Sequence, residues 1–217
     1  MKVTFTYDKA RDAWCLLNKG KSSSNSKFPT GVYVRLVERF GNDPDIEKTE
    51  KFVGEFIDSL HIDTKERAIG FQREWDAVSA EFQRRAEKIF GVSLPSDVTA
   101  YLTVNNRCPY NIDENWFFVS MTYPPKDTAM HELWHFYTWY GLGPAEQKRL
   151  GKEKYNDLKE ALTVLLNIEC ADLLDKPDKG YPQHAGLREK IAAFWEKNKD
   201  VRDLWDYLTD LAPIPLF

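Results

Sequence analysis

His131-Glu132-Leu133-Trp134-His135 holds the residues of this chain best suited to chemistry. On a helix, positions i and i+4 stack on one face, so two imidazoles spaced this way can grip one side of a tetrahedral Zn²⁺. Glu132 directly follows the first imidazole and can reach a metal-held water as a general base. The chemistry this assembles is metal-assisted hydrolysis. The 217-residue chain has 4 His, half of them in these five residues. Composition alone would produce the H-E-x-x-H pattern on the order of 0.005 times. That small expectation weighs against an amphipathic helix with two incidental histidines. The flanking Thr128, Ala129, Met130, Leu133, Trp134, Phe136 and Tyr137 are uncharged. A helix beneath a cleft needs such flanks, because buried unpaired charge is costly.

A catalytic zinc takes three protein ligands and leaves one position open. The remaining histidines are His61 and His184, and neither Cys108 nor Cys170 has supporting context. A carboxylate is the better candidate. In the segment 157–166 and beyond, Leu158, Ala161, Leu162, Leu165 and Ile168 form an apolar stripe. Glu160 lies at its margin and Asp157 lies nearer still, at about 100° per residue. A carboxylate placed there needs a partner. One of the two can bind the metal, while the other accepts the free N–H of a ligand histidine.

H-E-x-x-H followed by Glu160 on a later helix resembles the gluzincin clan of metallopeptidases, which includes thermolysin-like peptidases and the large aminopeptidases. The resemblance covers roughly Val98 to Leu174. Lys159-Glu160-Ala161-Leu162-Thr163 is similar to the clan's N-E-x-x-x motif, with Lys159 where Asn is usual. The resemblance implies Zn²⁺ held by His131, His135 and Glu160, with Glu132 passing a proton from water to the leaving amine. It also implies a Tyr or His donor to the oxyanion from a later segment. Gly180-Tyr181-Pro182-Gln183-His184 occupies that place, which makes Tyr181 and His184 the candidates. Pro182 biases Tyr181 away from helix. Arg107 and Arg188 could hold a substrate carboxylate, but nothing in the sequence singles them out. The metzincin pattern H-E-x-x-H-x-x-G-x-x-H fails, because Thr138 and Gly141 stand where Gly and His are required.

These residues need elements to position them. Lys2–Tyr7 alternates like a short strand, and Asp8 is placed to cap a helix through Asn18. Helices are predicted over Pro29–Phe40, Pro44–Leu60 and Thr64–Phe90. The last has an apolar stripe through Phe71, Trp75, Val78, Phe82, Ala86 and Phe90. Val98–Val104 and Trp116–Tyr123 are the strands before the metal helix, separated by a loop at Asn105–Asn115. Such a sheet edge beside a metal can take an extended peptide as an added strand. Asp127 or Thr128 should cap the metal helix, and Gly141-Leu142-Gly143-Pro144 should end it. A long helix then runs to Leu174, starting near Glu146 or Tyr155. After a loop at Asp175–Gly180 come closing helices at Leu187–Asn198 and Val201–Leu211, with Trp195 and Trp205 in the core.

The fold class that follows is α+β, mostly helical, with a small β-sheet preceding the H-E-x-x-H helix. It is expected as a single zincin-like domain over 1–217, with 1–95 mainly helical and 96–217 catalytic. Aromatic residues make up 14% of the chain and hydrophobic residues 42%, enough for a core of that size. The net charge of −4, with no long basic run, argues against nucleic-acid binding. No stretch approaches a membrane span, and the N-terminus lacks the apolar core of a secretory signal. Three widely spaced cysteines suggest reduced thiols in a cytoplasmic protein. Gly20-Lys21-Ser22 is not a P-loop, since Cys15 stands where the first glycine belongs. The expected partner is a peptide or small-protein substrate, and the oligomeric state is open. Two other readings stand beside the peptidase. One is a zinc-binding regulatory or interaction module with little proteolysis. The other is a self-inhibited enzyme covered by an N-terminal segment or by the apolar tail 212–217.

Overall fold

The computed structural model describes residues 1–22 and 28–210, so residues 23–27 of the polar stretch 19–27 and residues 211–217, which include the apolar tail 212–217, lie outside the described residues. The fold is α+β and mostly helical, with one small mixed sheet. The elements in chain order are β1 (Val3–Thr6), α1 (Lys9–Lys19), α2 (Gly31–Phe40), α3 (Ile46–Ser59) and α4 (Thr64–Phe90). They continue with β2 (Val98–Thr103), β3 (Tyr110–Asn111), β4 (Trp116–Ser120) and α5 (Pro125–Leu150). The last are α6 (Lys152–Leu162), α7 (Val164–Glu169), a 3₁₀ turn (Pro182–His184), α8 (Ala185–Trp195) and α9 (Val201–Asp210). Among these, no helix is long and apolar enough to cross a membrane. The chain forms two compact units, Met1–Ala77 with Pro95–Ala129 and Val78–Leu94 with Met130 onward. The chain changes unit within α4, again between Leu94 and Pro95, and a third time within α5.

The first unit is built on the sheet, whose strand order is β1-β2-β4-β3. β1 pairs parallel with β2, Val3 opposite Val98, and β2 pairs parallel with β4, Thr99 opposite Trp116. β3 runs antiparallel to β4 and arises inside the stretch expected as pure loop. The edges are therefore β1 and the two-residue β3. All five residues of β4 are buried, the pattern of a parallel strand covered on both faces. Asp8 caps α1 by accepting the Arg11 N–H, as its position predicted, and Thr30 and Asp45 cap α2 and α3 in the same way. α1 carries a buried carboxylate, Asp12, into this unit. The Thr103 hydroxyl and the Val104 N–H donate to Asp12 Oδ1 at 2.6 and 3.0 Å. Burial pushes the Asp12 carboxyl up to about 7, against the lowering effect of both hydrogen bonds.

The second unit is helical. Trp134 and Tyr137, inside and just after the H-E-x-x-H segment, pack on Phe82 and Phe90 of α4. The Phe90–Trp134 ring centroids are 5.1 Å apart, and Phe90 stacks on Tyr137 at 6.1 Å. Aromatic pairs of this kind add about 0.5–1.5 kcal/mol each beyond their buried area. They fix which face of α5 turns inward and so orient the histidines. Trp195 and Trp205 are buried as expected, and each donates its indole N–H to a glutamate, Glu169 and Glu146.

Three boundaries differ from the sequence reading. α5 begins at Pro125, with proline in the first turn, rather than behind a cap at Asp127 or Thr128. It also runs on through Gly141, Gly143 and Pro144 to Leu150. The glycines serve close packing here, not termination. A Cβ on Gly141 would lie 3.2 Å from Phe90 Cβ, and one on Gly143 would lie 2.7 Å from the Trp139 ring. The long helix expected to reach Leu174 breaks at Thr163 into α6 and α7 and stops at Glu169. The Thr163 hydroxyl lies 2.8 Å from the Glu160 carbonyl oxygen, a local bond that competes with helix continuation.

Candidate metal centre

α5 presents His131 and His135 one turn apart, with Nε2 atoms 3.1 Å from each other and rings nearly perpendicular. α6 brings Glu160 to the same point. Its Oε2 is 3.5 Å from His135 Nε2 and 3.8 Å from His131 Nε2. The three side chains each offer a ligand atom, and these atoms all lie within 4.8 Å of one another. Two imidazoles and one carboxylate converging on one point are a group that could hold a metal ion, and such a group is not specific to zinc. His135 is almost fully buried, whereas the His131 side chain is 24% exposed. The cluster is thus closed on one side and reachable from the other.

The groups behind the cluster hold it in place. His131 Nδ1 lies 2.7 Å from Asp178 Oδ2, which directs Nε2 of the same ring toward His135 and Glu160. Asp178 comes from the stretch after α7 and is itself clamped. Arg188 of α8 donates to its carboxylate at 2.9 Å and to its backbone carbonyl at 2.7 Å. The Asn167 side chain exchanges two hydrogen bonds with the Asp178 backbone, at 2.8 and 2.7 Å. The Thr163 hydroxyl lies 2.8 Å from Asp178 Oδ1 and accepts from Arg188 at 2.8 Å. The break between α6 and α7 therefore has a use, since it points Thr163 at Asp178. Lys159 is buried, and its Nζ sits 3.0 Å from Glu160 Oε1, the oxygen turned away from the imidazoles.

The electrostatics separate the groups. Burial pushes His135 down to about 3, and the Lys159 charge adds to this, so its ring stays neutral. Burial acts downward on His131 too, but the bond to Asp178 and its charge outweigh it and raise that ring to about 9. Burial drives the Glu132 carboxyl up to about 8. For Glu160, burial acts upward but loses to His135 and Lys159, which hold the carboxyl far below the usual range. Asp178 falls to about 2, its burial overcome chiefly by the His131 bond.

Asp157, the rival to Glu160, is not in the cluster. Its Oδ1 lies 3.1 Å from His184 Nε2, and the two line a separate cavity. His184 is tied to Asp157 there, and Tyr181 packs edge-on against the His184 ring at 5.8 Å. The two oxyanion candidates thus belong together, but neither belongs to the group of ligand atoms. Arg188 is buried on Asp178, which leaves its guanidinium no place as a surface carboxylate clamp. Arg107 instead donates to the backbone carbonyls of Lys19, Gly20 and Phe28. None of the three cysteines is disulfide-bonded, and burial pushes Cys15 and Cys170 up to about 12, the range of unreactive thiols. Asp178, Asn167 and the role of Arg188 escaped the sequence reading. Asp178 sits in a stretch without periodicity, so only its acidic type and its place after the Glu160 helix could have drawn attention to it.

No family model matches the chain, and neither the curated proteins nor the solved structures contain a significant match to it.

Proposed function

We propose that this chain is a zinc-dependent peptidase of the gluzincin kind, acting on peptides or small proteins. The observation that carries the reading is the meeting of His131, His135 and Glu160 within 4.8 Å, with Glu132 buried beside them. His131, His135 and Glu160 would hold the metal. Bound there, zinc would supply Lewis acidity toward a carbonyl and a lowered pKa for water. Glu132 moves the proton. Buried directly beside His131, it would take the proton from water and pass it to the leaving amine. Asp178 holds His131 in one tautomer, and the partial exposure of His131 leaves a side for substrate to approach.

The test is metal content beside activity. Purified protein should contain about one zinc per chain, and Glu160→Ala should lose it. Glu132→Gln should keep the metal while hydrolysis of a peptide library falls by orders of magnitude. Wild-type protein that takes up no zinc would sink the reading. A second reading, a metal-binding interaction module with little proteolysis, draws on His184, which is engaged by Asp157 instead of standing with the ligand atoms. Full zinc binding with no cleavage of any library member would favour it.

A further inference from the structure

The second unit contains a cavity of about 610 Å³, a size that accepts a small organic ligand. Its apolar lining comes from Leu150, Leu158, Leu187 and Leu208. Its polar lining is concentrated at the start of α6, where Gly151, Lys152, Glu153 and Lys154 all face it. Gly151 is the N-cap of this eleven-residue helix and has no side chain with which to cap it. The first N–H groups of a helix have no partner inside it, and the helix dipole adds positive potential at that end. Lys152, Lys154 and Lys190 surround this end of the cavity, against Glu153 and Asp157. Three lysines against two carboxylates leave this end net positive, and Lys154 Nζ also donates to the Thr209 carbonyl oxygen at 3.2 Å.

His184 provides an independent sign of a ligand. It lines the cavity at 4% exposure, with Nε2 on Asp157 and a buried Nδ1 that has no hydrogen-bond partner among the described residues. A buried imidazole nitrogen without a partner leaves a place for a polar group of a ligand. We infer that this cavity binds a small molecule with an anionic head and an apolar body, the head at the N-terminus of α6 among Lys152, Lys154 and Lys190 and the body against the four leucines. Neither the metal nor peptide hydrolysis enters the argument, so the site stands or falls apart from the peptidase reading.

Decanoate, below its micelle concentration, is the probe, with decyl phosphate and uncharged decanol beside it. Calorimetry on the full chain should show saturable 1:1 binding of decanoate, with decanol at least tenfold weaker. Decyl phosphate binding more tightly than decanoate would identify the preferred head as phosphate and would equally support the site. Lys190→Glu should weaken decanoate at least tenfold. Gly186→Phe should abolish binding. Gly186 lines the cavity, and a Cβ there meets no atom within 4 Å, so there is room for a side chain at the cavity wall. Unchanged thermal unfolding of both variants serves as the control. Equal binding of decanol, or binding that both variants leave intact, would overturn the inference. So would the absence of binding to the full chain, including the case where a chain lacking residues 211–217 does bind, since the protein's own end would then be the occupant.

Discussion

Asp178 Oδ2 lies 2.7 Å from His131 Nδ1, across 47 residues of sequence. A carboxylate behind a ligand histidine fixes the ring's tautomer and rotation and raises its basicity as a ligand. Asp178→Asn should keep the backbone bonds to Asn167 but lose the charge, and zinc affinity should fall about 10–100-fold. Competition with a chromophoric chelator measures this directly, and an unchanged affinity would remove Asp178 from the metal site.

Gly180 stands two residues further on, with φ at +60°. A Cβ there would lie 2.6 Å from Arg188 Nη1, the group that grips Asp178. Gly180→Ala should therefore combine left-handed backbone strain of about 1 kcal/mol with displacement of the Arg188 guanidinium. Its zinc affinity should fall in the direction of Asp178→Asn. Denaturant unfolding together with the chelator assay checks both parts.

Lys159 divides the labour of the two Glu160 oxygens. Oε1 faces its ammonium at 3.0 Å and Oε2 faces the imidazoles. Lys159→Met should free Oε1 and let the carboxylate bind metal through both oxygens. Substituted Co²⁺ should then show weaker visible absorption, the mark of a higher coordination number. Identical Co²⁺ spectra in the two proteins would show that Lys159 does not control ligation.

Asp12 gives the first unit a pH dependence of its own. Its carboxyl rises from 3.8 to about 7 on folding, so the folded state binds this proton more tightly than the unfolded state does. The contribution is fully present below pH 3.8 and is lost as pH rises through about 7. The whole shift corresponds to roughly 4 kcal/mol as an upper bound. Asp12→Asn, which has the shape of the protonated acid, should flatten stability between these limits and make the protein relatively more stable at pH 8. Urea midpoints at pH 4, 6 and 8 decide it.

What could be read from the sequence was local. His131 and His135 share a helix face because 3.6 residues make a turn, and that holds wherever the helix sits. Glu160 could be singled out because a carboxylate at the edge of an apolar stripe needs a partner. The helix Thr64–Phe90 was legible to the residue, since its stripe is long and Gly91 and Pro95 stop it. Patterns stop short of long-range pairing. That Glu160 and not Asp157 faces the histidines depends on the packing of α6, and Asp157 turns instead to His184. Gly141 and Gly143 look like a helix end in sequence, yet the close approach of Phe90 and the Trp139 ring explains them inside a continuous helix. Asp178, Asn167, Thr163 and Arg188 come from three stretches without a shared period, and only tertiary packing makes them the support of His131. Periodicity reports which face of an element is apolar. Which polar side chains meet across that face is decided by the need to satisfy each buried charge, and that need is met in three dimensions.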